Sequence, residues 1–543
     1  MAGVIHRNDQ PPLSVLTRPL VLSLVAGLFA ALLGGCDVPR TGDRITVASA
    51  GRISSLDPAK ASTVSAIQLL SALGDPLYSL GRSGELEPRL ASAAPIVSDD
   101  GLTVTIPLRK DVVFHDGTAF DAEAMAFSLR RFLDIGTLSY VVGGRIAKIE
   151  AASTHELKLH LSRPSTSLKG LLTAVNLTPV SPKAYNGHRE RFLHDRFVGT
   201  GPYRLERFRE DQQRLVPFED YWGTPPKNNG LDLITLSNST ALFGALRSGE
   251  VDVLMSGSID EDQRHTLHAM ATAGALQEGR GPAMEIGYIT LLSNAPPLQD
   301  PTLRQALALS LNREEISDRV SYGLRQPLRA LIPPSLLDNP QRPWPAHSPE
   351  RARQLLTQAG YCDGTHLTLP LTFRSNVPAD KLLALTWQAQ VQRDLSDCLV
   401  LDLDGVESTT IYRQLGEGAF KAVMLDWRGS YPDPEAYLTP LLSCSSVNGT
   451  TCTDGEAAIS GSFWSAPGLQ TALLDSDTLG GKERLNALNR VEHLTASGAA
   501  YIPVWLDSPR AWAQLNLIPP KFDGSGQLML SELERRVDGT TNN

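Results

Sequence analysis

Residues 241–254, ALFGALRSGEVDVL, carry the pattern that decides the fold class. The pattern predicts a helix near Ala241 to Arg247 that stops at Gly249, because glycine readily adopts the left-handed conformation that ends many helices. The apolar positions of Val251 to Leu254 predict a strand directly after the helix. A helix that leads at once into a strand is typical of a layered α/β lobe.

The alternation of helices and strands recurs further along the chain. Asp300-Pro301 and Ser348-Pro349 each join an N-cap residue to a proline suited to the first helical position. A third helix, about Lys381 to Leu395, precedes a strand from Val400 to Leu403. These elements predict a second α/β lobe over about residues 286–504.

The region before residue 199 predicts a separate α+β unit. Residues 103–109 alternate polar and apolar side chains as a half-buried strand does, and Pro107 favours an edge position because proline cannot donate to a neighbouring strand. Asp121 is the predicted N-cap of a helix from about Ala122 to Leu133.

Composition and motifs argue against several classes of protein. The 543 residues carry a formal net charge of −9, which offers no basic footprint for nucleic acid. The sequence contains no GxSxG, HExxH, GxGxxG or Walker motif. His115 beside Asp116 is interpreted as a turn residue and not as a catalytic base. The pattern therefore favours binding over catalysis and predicts no cofactor and no metal site.

The N-terminus has the features of an export signal. Arg7 and Arg18 precede an apolar run from Leu20 to Leu33, which is short for a transmembrane helix. The segment Leu33-Gly34-Gly35-Cys36 resembles a bacterial lipobox, in which the cysteine receives a lipid and the leader is removed. We expect a signal peptide over residues 1–35, lipid attachment at Cys36 and a tether over residues 36–44. An ordinary signal peptide or a short membrane anchor is the alternative.

Export to an oxidising compartment predicts that the four other cysteines pair. Four cysteines allow three connectivities. Cys444 with Cys452 is the expected local pair because Asn448-Gly449 between them can form a turn, and this leaves Cys362 with Cys398. A zinc site is not expected, since there is no CxxC and no histidine at ligand spacing.

A series of short motifs, collinear along nearly the whole mature chain, resembles the solute-binding proteins of peptide and nickel ABC importers. The motifs are Leu56-Asp57-Pro58, residues 84–91 (GELEPRLA), 100–105 (DGLTVT), 108–117 (LRKDVVFHDG), 199–203 (GTGPY), 221–222 (YW), 249–252 (GEVD), 303–307 (LRQAL) and 426–434 (DWRGSYPDP).

The resemblance implies a type II periplasmic binding protein fold, with two α/β lobes hinged about a cleft and an extra α+β N-terminal subdomain. It places lobe I at residues 45–80, 199–285 and 505–543, the extra subdomain at 81–198, and lobe II at 286–504. A monomer that closes around its solute and then docks on an ABC permease with its ATPase is implied.

The resemblance also suggests ligand-binding residues. In the dipeptide-binding branch an aspartate after Trp-x-Gly holds the ligand's ammonium, and this chain has Ser430 there, after Trp427 and Gly429. Tyr431 and Asp433 complete the segment, although Asp433 before Pro434 also suits a helix or turn cap. Arg374 matches the carboxylate-binding arginine of that branch, and a surface arginine is the alternative.

The leading hypothesis is a lipid-anchored receptor, at the periplasmic or outer face of the cytoplasmic membrane, that delivers peptides or peptide-like molecules to an ABC importer. A sensory receptor without transport and an exported hydrolase on the same scaffold are the alternatives. With Ser430 in place of an acid, the group that neutralises a ligand amine is left open.

Overall fold

The computed structural model describes residues 44–536, except residues 54, 62, 82–84, 137–138, 143, 187–190 and 258. The expected signal peptide and Cys36 lie outside the described residues. Among the described residues, no helix combines the length and apolar character needed to cross a membrane.

The larger sheet of the described chain has seven strands and gathers residues from both ends of the sequence. Its central strand, Ile45–Ser49, runs parallel to Leu231–Thr235 on one side and to Val253–Met255 on the other. In spatial order the strands are Gln277–Arg280, Arg510–Ala513, Val253–Met255, Ile45–Ser49, Leu231–Thr235, Gln212–Pro217 and Tyr203–Arg209.

The second sheet has six strands within the described residues, and most of its residues lie between positions 285 and 507. The strand Glu285–Leu291 is antiparallel to Ala422–Arg428 on one side and to Tyr501–Asp507 on the other. In spatial order the strands are Gln326–Pro327, Tyr501–Asp507, Glu285–Leu291, Ala422–Arg428, Leu367–Arg374 and Leu399–Val406.

Smaller sheets complete the described strands. They are the pairs Tyr78–Leu80 with Leu86–Pro88 and Ser446–Asn448 with Thr451–Asp454, and the sheet of Ile96–Val97, Thr103–Pro107, Glu156–Leu161 and Ile146–Ser153. The expected edge position of the Pro107 strand is wrong, because Thr103–Pro107 lies between two neighbours. Proline is tolerated there because the short neighbour pairs only with Val104 and Thr105 and does not extend to Pro107.

The helices cover the faces of these sheets. Their bounds are Val64–Leu73, Ala122–Ile135, Ser139–Val142, Leu168–Leu171, Pro182–Tyr185, Ser239–Ser248, Glu261–Thr272, Pro301–Ser310, Arg313–Ser321, Pro349–Gln358, Pro378–Leu395, Ser408–Gln414, Glu435–Leu442, Glu456–Ile459, Leu469–Thr478 and Gly481–Gly498. Short 3-10 turns lie at Val175–Leu177, Pro334–Leu336, Leu415–Glu417 and Leu530–Glu532.

Local signals account for several helix ends. The Asp121 carboxylate accepts a hydrogen bond from the backbone N–H of Ala124 at 2.8 Å, which caps Ala122–Ile135 as predicted. Gly249 adopts φ 75° at the end of Ser239–Ser248. The helix predicted from Lys381 begins earlier, at Pro378, because proline fits the first turn.

The chain passes between the two large sheets at two short segments. Residues 281–284 join Gln277–Arg280 of the first sheet to Glu285–Leu291 of the second, and residues 508–509 join Tyr501–Asp507 back to Arg510–Ala513. Both crossings therefore lie beside the same two neighbouring strand ends, those of Glu285 and Asp507.

The α+β unit before residue 199 packs against the helix Leu469–Thr478, which lies in the sequence between the strands Ala422–Arg428 and Tyr501–Asp507 of the second sheet. Asp477 accepts hydrogen bonds from Arg145 Nε at 3.2 Å, Ser165 Oγ at 2.9 Å and Ser167 Oγ at 2.5 Å. Buried apolar side chains of both regions belong to one continuous core, so the contact is more than a surface ion pair.

The two expected disulfides are present. Cys362 bonds to Cys398, which links the turn after the helix Pro349–Gln358 to the residue before the strand Leu399–Val406. Cys444 bonds to Cys452 across the hairpin of Ser446–Asn448 and Thr451–Asp454.

Candidate functional site

A cleft lies between the two large sheets, beside the chain crossings. Its volume is about 1380 Å³, part of which is open to solvent. Clefts of this kind between two lobes are common ligand sites. From the first-sheet side it is lined by residues 49–51, 63–65, Gln68, 255–257, Ile259, Glu261, Arg264, 508–510, Phe522, Gly526 and Gln527, and from the second-sheet side by Glu285, Arg325, 376–379, Asp426, Arg428 and Asp507.

A second cavity of about 730 Å³ continues the cleft past Arg428. The two cavities share Val64, Arg428 and Gln527 in their walls. The second cavity is lined by Gly429, Ser430 and Tyr431, so the structure brings these predicted residues together. A side chain at Gly429 would meet the Tyr437 ring at 2.8 Å, which explains why glycine stands there.

A dense ionic network closes the cleft near the chain crossings. The Asp507 carboxylate accepts hydrogen bonds from Arg264 Nη1 at 2.8 Å, Arg264 Nη2 at 2.9 Å and Arg325 Nε at 3.0 Å. Arg325 also binds Glu261 at 2.9 Å. Although burial opposes the charge, the two guanidinium groups hold the pKa of Asp507 well below its usual value. Since Arg264 and Glu261 lie on a helix beside the first sheet, the network ties the two sheets together.

Glu285 lies beside this network and differs from it in its contacts. It is laterally paired with Asp507 on one neighbouring strand and with Arg428 on the other. Within the described residues its carboxyl group has neither a hydrogen bond nor an ion pair. Burial, together with the negative charges of Asp426 and Asp507, raises the pKa of Glu285 to about 7.

Arg374 is buried, and its guanidinium forms ion pairs with two aspartates of the protein. Its guanidinium binds both carboxylate oxygens of Asp380, at 2.7 and 3.1 Å, and Asp426 at 2.6 Å. Tyr412 lies within hydrogen-bond distance at 3.1 Å. Burial opposes the charge of Arg374, but the two aspartates outweigh it and raise its pKa further. Asp426 keeps 38% of its side chain exposed and lines the cleft, whereas Arg374 does not line it.

The other predicted side chains take part in packing and capping. Trp427 Nε1 donates to the backbone carbonyl of Ala436 at 2.8 Å. Asp433 accepts two hydrogen bonds from Arg484 Nη2, at 2.6 and 2.7 Å, and one from the N–H of Glu435 at 2.9 Å. The Tyr431 hydroxyl donates to the Glu435 carboxylate. In the structure, neither Trp427 nor Asp433 lines the two cavities.

Two further arginines line the cleft. Arg428 donates to the backbone carbonyl of Ser525, so it reaches from the second sheet to the C-terminal loop. Among the described residues it forms no ion pair. Arg510 binds Glu278 at 2.5 Å on the opposite side.

Sequence reasoning missed the charged residues nearest the crossings. Glu285 opens the apolar strand EIGYITL and Asp507 ends the apolar strand YIPVWLD, so a charge at the end of a buried strand was the available signal. Their meeting depends on strand register over more than 200 residues, which a single sequence does not reveal.

Comparison with known proteins agrees with this architecture. A family model for bacterial extracellular solute-binding proteins, family 5 (middle region) matches residues 85–449. The glutathione-binding protein GsiB of Escherichia coli K12 is 26% identical over 456 residues, which cover 82% of this chain and 83% of that protein.

Solved structures show the same fold. The dipeptide-binding protein of Pseudoalteromonas sp. SM9913, in complex with Met-Leu, superposes with a TM-score of 0.77 at 23% identity, over 91% of this chain and 100% of that one. NikA from Brucella suis, in complex with Fe(III)-EDTA, gives a TM-score of 0.80 at 18% identity, with 91% and 100% covered. The chain therefore belongs to the bacterial extracellular solute-binding proteins of family 5, with the type II periplasmic binding protein fold.

Proposed function

We propose that this protein is the extracytoplasmic receptor of an ABC importer and that it binds short peptides or peptide-like molecules in the cleft between its two large sheets. The observation that carries the proposal is the mixed charge of that cleft, in which arginines and carboxylates of both sheets face one volume. A zwitterionic solute meets both signs of charge there, whereas a neutral sugar would leave buried charges without partners.

The relatives support a solute of this class. The name of one relative states that it binds glutathione, a peptide-like molecule with an ammonium and two carboxylates, and one similar structure holds the dipeptide Met-Leu. Because the family consists of binding proteins, the proposal includes no catalytic step.

We propose that Gly429, Ser430 and Tyr431 form the wall along which the peptide backbone lies. For Arg374 we propose a positioning role: its guanidinium holds Asp426 at the cleft surface, and the ligand's carboxylate is met by Arg428 instead. Trp427 and Asp433 support this wall from behind through Ala436, Arg484 and the following helix.

The remaining assignments complete the proposal. The bounds expected from the sequence for lobe I, residues 45–80, 199–285 and 505–543, and for lobe II, 286–504, are moved to the two chain crossings, because Glu285 and residues 505–507 lie in strands of the second sheet. Lobe I then ends at residue 280 and resumes at residue 510, the extra subdomain is 81–198, and the lobes move about the two chain crossings. Residues 1–35 are removed on export, and a lipid on Cys36 holds the monomeric receptor near its permease.

The test is mass spectrometry of the small molecules released when the purified protein is denatured. We expect short peptides or peptide-like thiols in amounts close to one per protein. A matched preparation of an unrelated exported protein from the same cells gives the background. Recovery of only a metal chelate or only a sugar would overturn the peptide assignment.

A further inference from the structure

We infer that Glu285, together with the exposed side of Asp426, forms the subsite that binds a primary ammonium group of the solute. The inference rests on the proposed function, and it names the residues that replace the missing acid at Ser430. Its support comes from strand geometry, from the charge balance of the cleft and from polar atoms that the protein leaves without partners.

Strand geometry directs the two carboxylates to one side of the second sheet. Glu285 is laterally paired with Arg428, and Asp426 lies two residues before Arg428 on the same strand. Because side chains alternate between the faces of a sheet, Glu285, Arg428 and Asp426 share a face. Diagonal neighbours of this kind lie within about 7–8 Å, close enough for one ammonium to lie between their carboxylates. Gly287, the lateral partner of Asp426, has no side chain of its own, and the Trp505 indole covers the space that its Cβ would take.

The charges of the cleft balance, but two of them have no ion partner in the described structure. The charged side chains that line the cleft, with their direct ion partners, comprise five arginines and five carboxylates. The arginines are Arg264, Arg325, Arg374, Arg428 and Arg510, and the carboxylates are Glu261, Glu278, Glu285, Asp426 and Asp507. Within the described residues, Arg428 and Glu285 are the two of this set that form no ion pair. Because they are lateral neighbours, a zwitterionic ligand would complete both, with its ammonium at Glu285 and its carboxylate at Arg428.

The same wall has unused hydrogen-bonding capacity. Glu261 Oε2, Arg264 Nε and Arg325 Nη1 have no hydrogen-bond partner in the described chain, and their side chains are 3%, 4% and 11% exposed. Most buried polar groups in folded proteins have partners, so polar groups left without them point to a missing ligand or water. All three residues line the cleft beside Asp507 and Glu285. Only Glu261 Oε2 can accept a hydrogen bond from an ammonium, whereas Arg264 Nε and Arg325 Nη1 are donors suited to a carboxylate or a water.

Other acids are less suited to the ammonium. Asp507 is saturated by Arg264 and Arg325. Asp433 is held by Arg484 and lies behind the cavity wall. Ser430 offers a hydroxyl but no charge. Glu285 is thus the carboxyl of the cleft that gains most from a cation, because a buried anion without a partner is costly.

The groups that face Glu285 set the pH dependence of such binding. They are Asp426 and Arg428 on one neighbouring strand, Asp507 on the other, Arg325 from the loop after Arg313–Ser321, and Arg264 of the helix Glu261–Thr272. A carboxyl with a raised pKa must lose its proton before it can balance a cation. Affinity for an N-terminal amine should therefore increase with pH toward about pH 7 and decrease again above about pH 8, where the amine loses its own proton.

The test uses equilibrium dialysis and mass spectrometry with three pools of tripeptides built from Ala, Leu, Ser and Phe. The first pool has free N-termini, the second is N-acetylated, and the third is N-acetylated and carries one lysine. We expect the wild-type protein to retain the first pool at least about tenfold better than the second, and Glu285→Gln to abolish this preference. If the protein retains the third pool, the subsite binds the ammonium of a lysine side chain. If it does not, the subsite binds the N-terminal ammonium.

The controls distinguish a failure of the ammonium subsite from a failure of the proposed peptide-binding function. Glu483→Gln changes an exposed glutamate at the start of a helix of the second lobe and should behave as wild type. Equal retention of free and acetylated pools, unchanged in Glu285→Gln, would overturn the ammonium subsite and leave the proposed function in place. Absence of binding to every pool would overturn the peptide function and the subsite with it.

Discussion

Glu285 and Asp507 are lateral neighbours on adjacent strands, yet their carboxyl groups are in opposite electrostatic states. Asp507 receives three hydrogen bonds from two arginines, and its pKa is lowered. Glu285 has no such partner in the described structure, and its pKa is raised. Asp507 is the more buried of the two, so burial would raise its pKa at least as much, and internal partners decide the difference. A carboxylate with built-in partners joins the sheets, whereas one without them is available to a ligand.

The largest expected effect comes from removing the paired carboxylate. Within the described residues, Asp507→Asn leaves Arg264 and Arg325 with Glu261 as their one remaining ion-pair partner, and breaking a buried ionic network from one side costs about 3–5 kcal/mol. Urea denaturation at pH 7 should show this loss of unfolding free energy. Asp211→Asn, at an exposed acid 3.7 Å from Arg209, is the control and should leave the midpoint unchanged. If Asp507→Asn hardly changed the unfolding free energy, the contrast between a stabilising Asp507 and an unpartnered Glu285 would be wrong.

Arg374→Ala is expected to have the next largest effect, and chiefly on stability. The substitution leaves Asp380 buried without its arginine, at a cost of about 2–3 kcal/mol, part of which protonation of Asp380 offsets because burial already raises its pKa. The double variant Arg374→Ala with Asp380→Ala should recover part of that loss, since the fully buried carboxylate is removed and Asp426, which also loses Arg374, is 38% exposed. Unchanged stability with loss of peptide affinity would instead assign Arg374 to the ligand's carboxylate, as the sequence resemblance implies.

The smallest expected effect is a gain in unfolding free energy and not a loss. Glu285→Gln should stabilise the ligand-free protein by about 1–2 kcal/mol at pH 8 and have almost no effect at pH 4. The pKa of Glu285 is about 7 in the folded protein, and its usual value is 4.5. Between these pH values the carboxyl is ionised in the unfolded chain but protonated in the folded protein. Stability therefore decreases as pH increases through this range. Glutamine removes this penalty. Thermal denaturation at the two pH values measures it, and a variant less stable than wild type at pH 8 would contradict an unpartnered Glu285.

The sequence could predict the elements and the family but not the ionic partners. Asp121, Gly249 and the Asp300-Pro301 pair act locally, so their helix ends were readable from nearby residues. The order of strands within each sheet, and with it the position of the Pro107 strand, depends on long-range pairing.

The candidate site was predictable only where it is one continuous segment. Residues 429–431 line a cavity as a group because they are consecutive. Arg374 matched a family position, but whether a buried arginine faces a ligand or internal acids depends on Asp380 and Asp426, and their approach is fixed by packing. Glu285 was missed because nothing in its own segment marks it as lacking a partner.

The two chain crossings at residues 281–284 and 508–509 lie beside the proposed ammonium subsite, so their position bears on how a ligand would leave. When two bodies rotate about a pivot, points beside the pivot move least and distant points move most. If the lobes open about these crossings as proposed, a charge held at Glu285, next to the pivot, moves little, while groups far from the pivot move most. Release would then follow an order, with the ligand's ammonium leaving last.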